Sequence, residues 1–400
     1  MSSQPHAERA HALLGASKAS QWINCPPSAR LQESVPDKCS AYADEGTAAH
    51  ELSEIKLRRR ILPCDSKERT RLGKELQKIH TGQYYGPEME DATNDYVDVV
   101  EERFMAAKAR SADALVLLEE RLDYTAWVPD GFGTGDVVLI ADGVMEIIDL
   151  KYGKGVPVSA IGNPQMRIYA LGAYDAYSYL YDIHEIHMTI VQPRLDSVST
   201  DSIQVDELLE WAETVVKPSA ALADAGEGDF KAGDHCRWCK VKGNCRARAD
   251  ANMAALAHEF KDPALLSLDE VSSILFIADQ LSTWAKDVKD YAFDRAKNGQ
   301  AIPAWKLVEG RSNRAITDKE AVKAAMVAAE IDADKYLKPQ ELLGIGDLEK
   351  RIGKKELTTL IGGLIIKPAG KPVLVPETDK RPGLNSVDAD FADEDFEANA

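Results

Sequence analysis

Two apolar, largely β-branched runs, Val137 to Ile140 and Val144 to Ile148, flank an Asp142-Gly143 pair. Asp-Gly between such runs is the strongest short-range hairpin signal, because both central residues of the tight turn need positive φ. With Asp142-Gly143 as the two-residue loop, the pairing is fixed. Ala141 faces Val144, and further out Asp136 faces Asp149. Directly opposed Cβ atoms lie about 5 Å apart on one face of a sheet. Lys151, two residues beyond Asp149, points to that same face.

Opposed like charges destabilise a strand pair, and a divalent cation is the natural way to offset them. Mg²⁺ takes one or two carboxylates and completes its shell with water and phosphate oxygens. A lysine beside them can position a water or neutralise an anionic transition state. The alternative is that Asp136 caps its strand and Asp149–Lys151 is a surface pair. Against it, both strands, Glu146 aside, are apolar on both faces, as in a sheet covered on each side. Asn163-Pro164 then opens a helix with a cap residue and a first-turn proline. Gln165 and Tyr169 share one face of it at i, i+4.

The ordered set Asp136, Asp149-Leu150-Lys151, Gln165 and Tyr169 resembles the PD-(D/E)XK nuclease signature, in particular its RecB-type branch. The resemblance implies a restriction-endonuclease-like α/β fold, a mixed central sheet flanked by helices. It implies catalytic roles for Asp136, Asp149, Lys151, Gln165 and Tyr169. Upstream, DEGTAAHELSEIKL (Asp44 to Leu57) is similar to a Gly-Thr-x-x-His helix of that branch whose histidine ligates the metal. The implied ligands are His50, Asp136, Asp149 and the Leu150 carbonyl. Without the family, a helix histidine bonded to backbone or water is the better reading of His50. An imidazole ligand suits Mn²⁺ better than Mg²⁺. Glu119, in the strand Leu115 to Leu122, either faces the metal or pairs with Arg121.

Cys236-x2-Cys239-x5-Cys245 forms a three-cysteine cluster. Cysteines in a chain of this kind are more often metal ligands or free thiols than disulfides. A fourth ligand would come from Cys25, Cys39, Cys64 or His235. Zinc sites usually pair two C-x2-C knuckles, whereas three clustered ligands plus a distant one suit a [4Fe–4S] cluster better. The spacing, with Cys25-Pro26 far upstream after the short helix of SKASQWIN, resembles the iron–sulfur staple of AddAB-type helicase–nucleases and CRISPR-associated RecB-like exonucleases. That resemblance implies Cys25, Cys236, Cys239 and Cys245 as cluster ligands, Zn²⁺ being the alternative. It leaves Cys39 and Cys64 as ordinary thiols, and it spans roughly residues 15 to 248.

The formal net charge of −18 excludes a protein that coats nucleic acid over its whole surface, so any DNA contact must be local. Two basic segments stand out. Ile55 to Lys78 includes Arg58, Arg59, Arg60, Arg69 and Arg71, and Lys231 to Arg248 includes Lys240 and Lys242. Either is a phosphate-contact patch or a solvated face. No apolar run approaches a membrane span, and no signal peptide is evident, so a soluble, cytoplasmic chain with no membrane partner is expected.

Four hundred residues suggest about two to three domains. The expected division is a nuclease domain over 1–250 with the iron–sulfur staple, a mainly helical accessory region over 251–376, and an acidic tail over 377–400. Ala251 to Asn298 reads as two helices, Trp305 to Ala315 as a strand, and Asp318 to Leu360 as helical. The tail's acidic composition predicts disorder.

These readings converge on a metal-dependent deoxyribonuclease, an exonuclease rather than an endonuclease, using Mg²⁺ or Mn²⁺. By family analogy it serves phage or prophage DNA replication, recombination or repair in a bacterial cytoplasm. Its partners would be DNA that is single-stranded or has single-stranded ends, and a recombinase or single-strand-binding protein. No nucleotide-binding G-x-x-x-x-G-K-[ST] motif marks a motor. The alternative is a non-catalytic, cluster-stabilised DNA-binding or replication accessory protein.

Overall fold

The computed structural model describes residues 12–36, 41–254, 267–308 and 344–365, with 320, 324, 327 and 328. At its centre is a five-stranded mixed sheet in the order β1-β2-β3-β4-β5. The strands are β1 (Leu115–Asp123), β2 (Phe132–Ala141), β3 (Val144–Leu150), β4 (Glu185–Gln192) and β5 (Ser197–Gln204). All neighbours pair antiparallel except β3 and β4, which are parallel. A parallel pair needs a crossover, and helix α6 (Pro164–Tyr177) supplies it. The fold is thus mixed α/β, as expected.

The hairpin register is the expected one. Ala141 pairs with Val144 and Val137 with Ile148, so the next pair outward is Asp136 and Asp149. Asp142 and Gly143 have φ of 53° and 75°, as the tight turn requires. A side chain at Gly143 would also collide with the His184 ring.

Both faces of the sheet are covered. Helix α5 (Pro87–Arg110) lays Tyr96, Val97, Val100 and Phe104 against Val116, Leu118, Val137, Leu139, Ile148 and Leu150. On the other face α6 packs Met166, Ile168 and Leu171 against Val138, Ile140, Met145, Ile147 and Met188. Near the middle of β1 the alternation reverses. Val116 and Leu118 belong to the α5 side, whereas Leu122, at the same parity, belongs to the α6 side. Between them Glu119 has φ of 54°, and the pairing skips from Leu118–Val137 to Glu120–Gly135. The skipped position is Glu119 opposite Asp136. A left-handed residue inside a strand rotates the chain and re-aims its side chain, as bulges beside active sites do.

The polar strand β5 was not anticipated. Its sequence, SVSTDSIQ, lacks the apolar run of a buried strand, because it lies at a sheet edge with only one side covered. Two helices follow, α7 (Val205–Trp211) and α8 (Lys217–Ala225), joined through a π turn, Ala212–Val216.

The N-terminal segment forms two short helices, α1 (Ala19–Asn24) and α2 (Ser28–Glu33), with Cys25-Pro26-Pro27 between them. Trp22 is buried, and the Ala16 N–H donates to the Tyr124 hydroxyl at 3.0 Å. The segment is thereby fixed to the loop between β1 and β2. Helix α3 (Ala41–Ile61) crosses α5 and buries Ala49 and Leu52 against Met89, Ala92 and Tyr152. Helix α4 (Ser66–His80) follows, capped by Asp65, whose carboxylate accepts the Glu68 N–H.

Beyond the sheet, α9 (Arg246–Met253) lies mostly before the stretch read as two helices, Ala251 to Asn298, and α10 (Leu268–Lys297) lies within it, residues 255–266 being outside the described residues. Residues 305–308 are not strand, and 309–315 lie outside the described residues. Two further helices, Ile345–Ile352 and Lys354–Ile361, fall partly in the stretch read as helical. Lys355 pairs with Asp95 of α5 at 3.0 Å and Lys354 with Asp196. Cys39 and the acidic tail over 377–400 also lie outside the described residues. Among the described residues no helix is long and apolar enough to cross a membrane.

Candidate functional site: an acidic cluster at a break in the sheet

Asp136 sits where β2 loses its pairing with β1. It is 9% exposed, and its two oxygens are used differently. Oδ2 accepts the Leu150 N–H at 2.7 Å, and Oδ1 lies 3.3 Å from Nδ1 of His50 on α3. Glu119, re-aimed by its left-handed backbone, joins them. One ligand atom each from His50, Glu119 and Asp136 lie within 4.8 Å of one another. Glu119 is therefore placed with the acids, while Arg121 stacks on the Phe132 ring at 3.9 Å.

Asp149, 3% exposed, faces a second set of partners. Its Oδ1 accepts from Gln165 Nε2 at 3.1 Å, and its Oδ2 lies 2.7 Å from the Lys151 ammonium. Gln165 Oε1 in turn accepts from Lys151 at 3.1 Å. Asp149, Lys151 and Gln165 thus form a closed triangle, with Tyr169 bonded to the Gln165 side chain behind it. Asn163 holds the start of α6 by accepting the Gln165 and Met166 N–H groups. Gly133 makes room for Tyr169, since a Cβ there would lie 2.8 Å from the ring. Leu150, expected to contribute its carbonyl, is seen to engage Asp136 through its N–H.

The electrostatics follow from burial and proximity. Burial lowers the His50 pKa, but the charge and hydrogen bond of Asp136 outweigh it, with Glu119 and Asp149 adding. The result is a rise to about 9. Burial works to raise the Asp136 pKa, yet His50 and the Leu150 N–H bring it below the usual carboxylate value. For Asp149 burial prevails over the Lys151 charge, and its pKa is raised. Two like carboxylates in one buried place separate in this way.

Three residues that sequence reasoning missed complete the surroundings. Tyr96, 1% exposed, packs beside Leu118, Val137 and Leu150, and its hydroxyl has no hydrogen-bond partner. Asp149 Oδ2 also lacks a well-directed hydrogen bond despite its ion pair. Gln192, 1% exposed, clamps the loop after Lys151. It donates to the Gly153 and Val156 carbonyls at 2.5 and 2.8 Å and accepts the Val158 N–H at 3.0 Å. Arg194 braces the same loop from below. It stacks on Tyr152 and pairs with Glu88, to which Lys154 is also bonded. No apolar periodicity or motif marks Gln192 or Arg194; only the fold brings them to the loop.

An imidazole and two carboxylates converging within 4.8 Å fit a divalent cation that completes its shell with solvent. The buried Tyr96 hydroxyl, without a hydrogen-bond partner among the described residues, points the same way, since such groups normally find one.

The cysteines form a second, separate site. Cys25, Cys236, Cys239 and Cys245 line one small cavity, with His235 beside Cys25. Burial pushes the Cys239 thiol up to about 11, and the other three cysteines act on it electrostatically. The backbone supports the approach. The Lys240 N–H donates to Gln32 of α2 at 2.8 Å, and the Lys240 ammonium donates to the Val35 carbonyl at 2.9 Å. Cys64 is elsewhere, its thiol on the Arg58 carbonyl. Among the described residues no three of these sulfurs lie within 4.8 Å of one another.

The basic residues are mostly paired. Arg58 binds Glu54 and the Leu118 carbonyl, Arg60 binds Asp98 and Glu101, and Arg71 binds Glu68 and Glu75. Lys242 binds Asp287 of α10. Arg59 and Arg69 are exposed, with no ion pair among the described residues.

The solved structure of SSO0001 is similar over 57% of this chain and 96% of its own, at 12% identity and a TM-score of 0.22, a likeness too slight to carry an argument. The family model described as "Protein of unknown function (DUF2800)" matches residues 11–382, nearly the whole length, and the chain therefore belongs to that family.

Proposed function

We propose that the chain is a metal-dependent deoxyribonuclease that hydrolyses phosphodiester bonds, acting from DNA ends. The observation that carries this reading is the juxtaposition of two sets at one end of the β2–β3 hairpin. His50, Glu119 and Asp136 form a ligand set, and Asp149, Lys151 and Gln165 lie next to it. The similarity to the PD-(D/E)XK nucleases of the RecB type supports it further, since each motif residue occupies a place in this arrangement.

His50, Asp136 and Glu119 would hold Mg²⁺ or Mn²⁺, with Asp149 at its border. Such an ion supplies Lewis acidity toward a phosphoryl oxygen and lowers the pKa of water. The chain's own groups do the rest. Lys151, held between Asp149 and Gln165, would present its ammonium to the attacking water and to the negative charge that builds on the phosphoryl oxygens. Gln165 keeps both partners in place through its two amide atoms, and Tyr169 fixes Gln165 from behind. The clamp on residues 153–158 by Gln192 limits movement of the loop that follows Lys151.

The four cysteines would hold a [4Fe–4S] cluster that ties the N-terminal helices to the segment before α9. This role is structural, because the acids are elsewhere. The visible spectrum of anaerobically purified protein separates it from Zn²⁺, which is colourless.

The test is cleavage of end-labelled single- and double-stranded DNA with Mg²⁺ and with Mn²⁺, beside Lys151→Ala as a matched control. Metal-dependent release of end label by the parent protein and none by the variant is expected. No cleavage by the parent with either ion, or equal cleavage by both proteins, would overturn the reading.

A further inference from the structure

A buried hydroxyl without a partner is costly, about 1–3 kcal/mol, and persists where something outside the chain satisfies it. Tyr96 carries one. Its ring is packed in the core between α5 and the sheet, against the residues that flank Glu119, Asp136 and Asp149: Leu118, Val137, Ile148 and Leu150. Its hydroxyl is fully enclosed and has no hydrogen-bond partner among the described residues. It is close enough to Asp136, Asp149 and Glu119 for their charges to act on it. Those acids have partners of their own in Leu150, His50, Gln165 and Lys151, with Asp149 Oδ2 lying 2.7 Å from the Lys151 ammonium. A buried hydroxyl without a partner beside one acidic cluster describes a place for a further oxygen.

We propose that Tyr96 is a positioning residue of this site, its hydroxyl donating to a solvent oxygen that enters with the divalent cation. The inference rests on the metal reading of the acidic cluster and adds a residue to it. A tyrosine in an apolar core facing a sheet has no other use for its hydroxyl, and phenylalanine would fill the same space. The assignment also accounts for a phenol beside Val97 and Val100 in this core.

The consequence is a change of sign. Without metal, Tyr96→Phe removes a partnerless hydroxyl and should leave the unfolding temperature unchanged or higher. With metal, the variant lacks a hydrogen bond that the parent has. The experiment is thermal unfolding of the full chain with and without MnCl₂, together with calorimetric titration of Mn²⁺. The expected result is a smaller Mn²⁺-induced rise in unfolding temperature for Tyr96→Phe and an affinity about five- to tenfold weaker. Val97→Ala, in the same core, should lower both unfolding temperatures and keep the difference between them. An equal Mn²⁺ response in the parent and Tyr96→Phe overturns this inference while leaving the metal site standing. A lower unfolding temperature for Tyr96→Phe without metal also overturns it, because the hydroxyl would then have a partner inside the chain. No Mn²⁺ response in the parent overturns the metal reading and this inference with it.

Discussion

The acidic site and the cysteine site are built on opposite plans. Asp136 and Asp149 are brought together by a hairpin with twelve residues between them, and backbone hydrogen bonds do most of that work. Cys25 and Cys236 lie more than two hundred residues apart, and few backbone contacts join their segments. In the first site the side chains are passengers on a frame that stands without them. In the second, a group held by the four sulfurs, as proposed, would be part of the frame. Substitutions should therefore separate: loss of chemistry with little loss of stability in the sheet, and loss of stability in the cysteine site.

The largest effect is expected at Lys151. Lys151→Ala removes the cation of the Asp149–Gln165 triangle and should lower cleavage by about 10²–10⁴-fold. The thermal unfolding profile and the bound iron should change little. Steady-state cleavage beside calorimetry checks this. A variant that loses its fold together with its activity would erase the contrast between the sites.

Next comes the staple. Cys25→Ser should lower bound iron as far as Cys236→Ser does, and each should cost about 2–5 kcal/mol, because the closed loop is long. Cys64→Ser should be close to silent, since that thiol only meets the Arg58 carbonyl. Cys39→Ser is expected to be silent as well. Iron analysis and denaturant unfolding of the four variants decide it. Iron retained in Cys25→Ser and lost in Cys64→Ser would reassign the fourth ligand.

A smaller effect probes whether the sheet frame really stands apart from its catalytic groups. Gly133 lies on β2, three residues before Asp136, and a methyl there would press on the Tyr169 ring at 2.8 Å. Gly133→Ala should cost about 1–3 kcal/mol by overpacking. Through Tyr169 and Gln165 it should also disturb Lys151. If Tyr169→Phe with Gly133→Ala restores neither stability nor cleavage, while Tyr169→Ala with it restores stability, the clash is with the ring and not with its hydroxyl.

What could be read in advance follows the same division. Asp142-Gly143 set the turn, the turn set the register, and the register placed Asp136 against Asp149. Each step is local, so few alternatives compete. The reversal of faces at Glu119 was hidden, because nothing in a glutamate announces a φ of 54°. That hidden step decides whether Glu119 joins His50 and Asp136 or pairs with Arg121. Nothing in the sequence around Tyr96 marks its hydroxyl, which gains meaning only from the strands packed against it. Gln192 ends a strand whose apolar pattern was legible, but its three bonds go to a loop some forty residues earlier. Strand β5 was too polar to be seen, being held by pairing along one edge. The cysteines were legible by kind alone, since spacing left four choices for the last ligand.

The smallest expected effect concerns the basic run Arg58-Arg59-Arg60, where charge was legible and pairing was not. Arg58 lies along Glu54 and reaches the Leu118 carbonyl, so it braces α3 against β1. Arg60 lies between Asp98 and Glu101 of α5. Arg59 is exposed without such a partner. Each phosphate neutralised steepens the dependence of log K on log salt by about 0.7–0.9. Three unpaired arginines would together contribute about two to three in slope on that scale. With Arg58 and Arg60 committed to carboxylates, Arg59→Ala should flatten the slope by about one contact, and adding Arg58→Ala and Arg60→Ala should flatten it little further. Salt titrations of DNA binding by the single and triple variants measure this directly. A triple variant that loses about three contacts' worth of slope would mean that the pairs with Glu54, Asp98 and Glu101 open when DNA binds. An unchanged slope in Arg59→Ala would make the run a solvated surface and shift the search for phosphate contacts to Arg69, the other exposed arginine of the segment with no ion pair among the described residues.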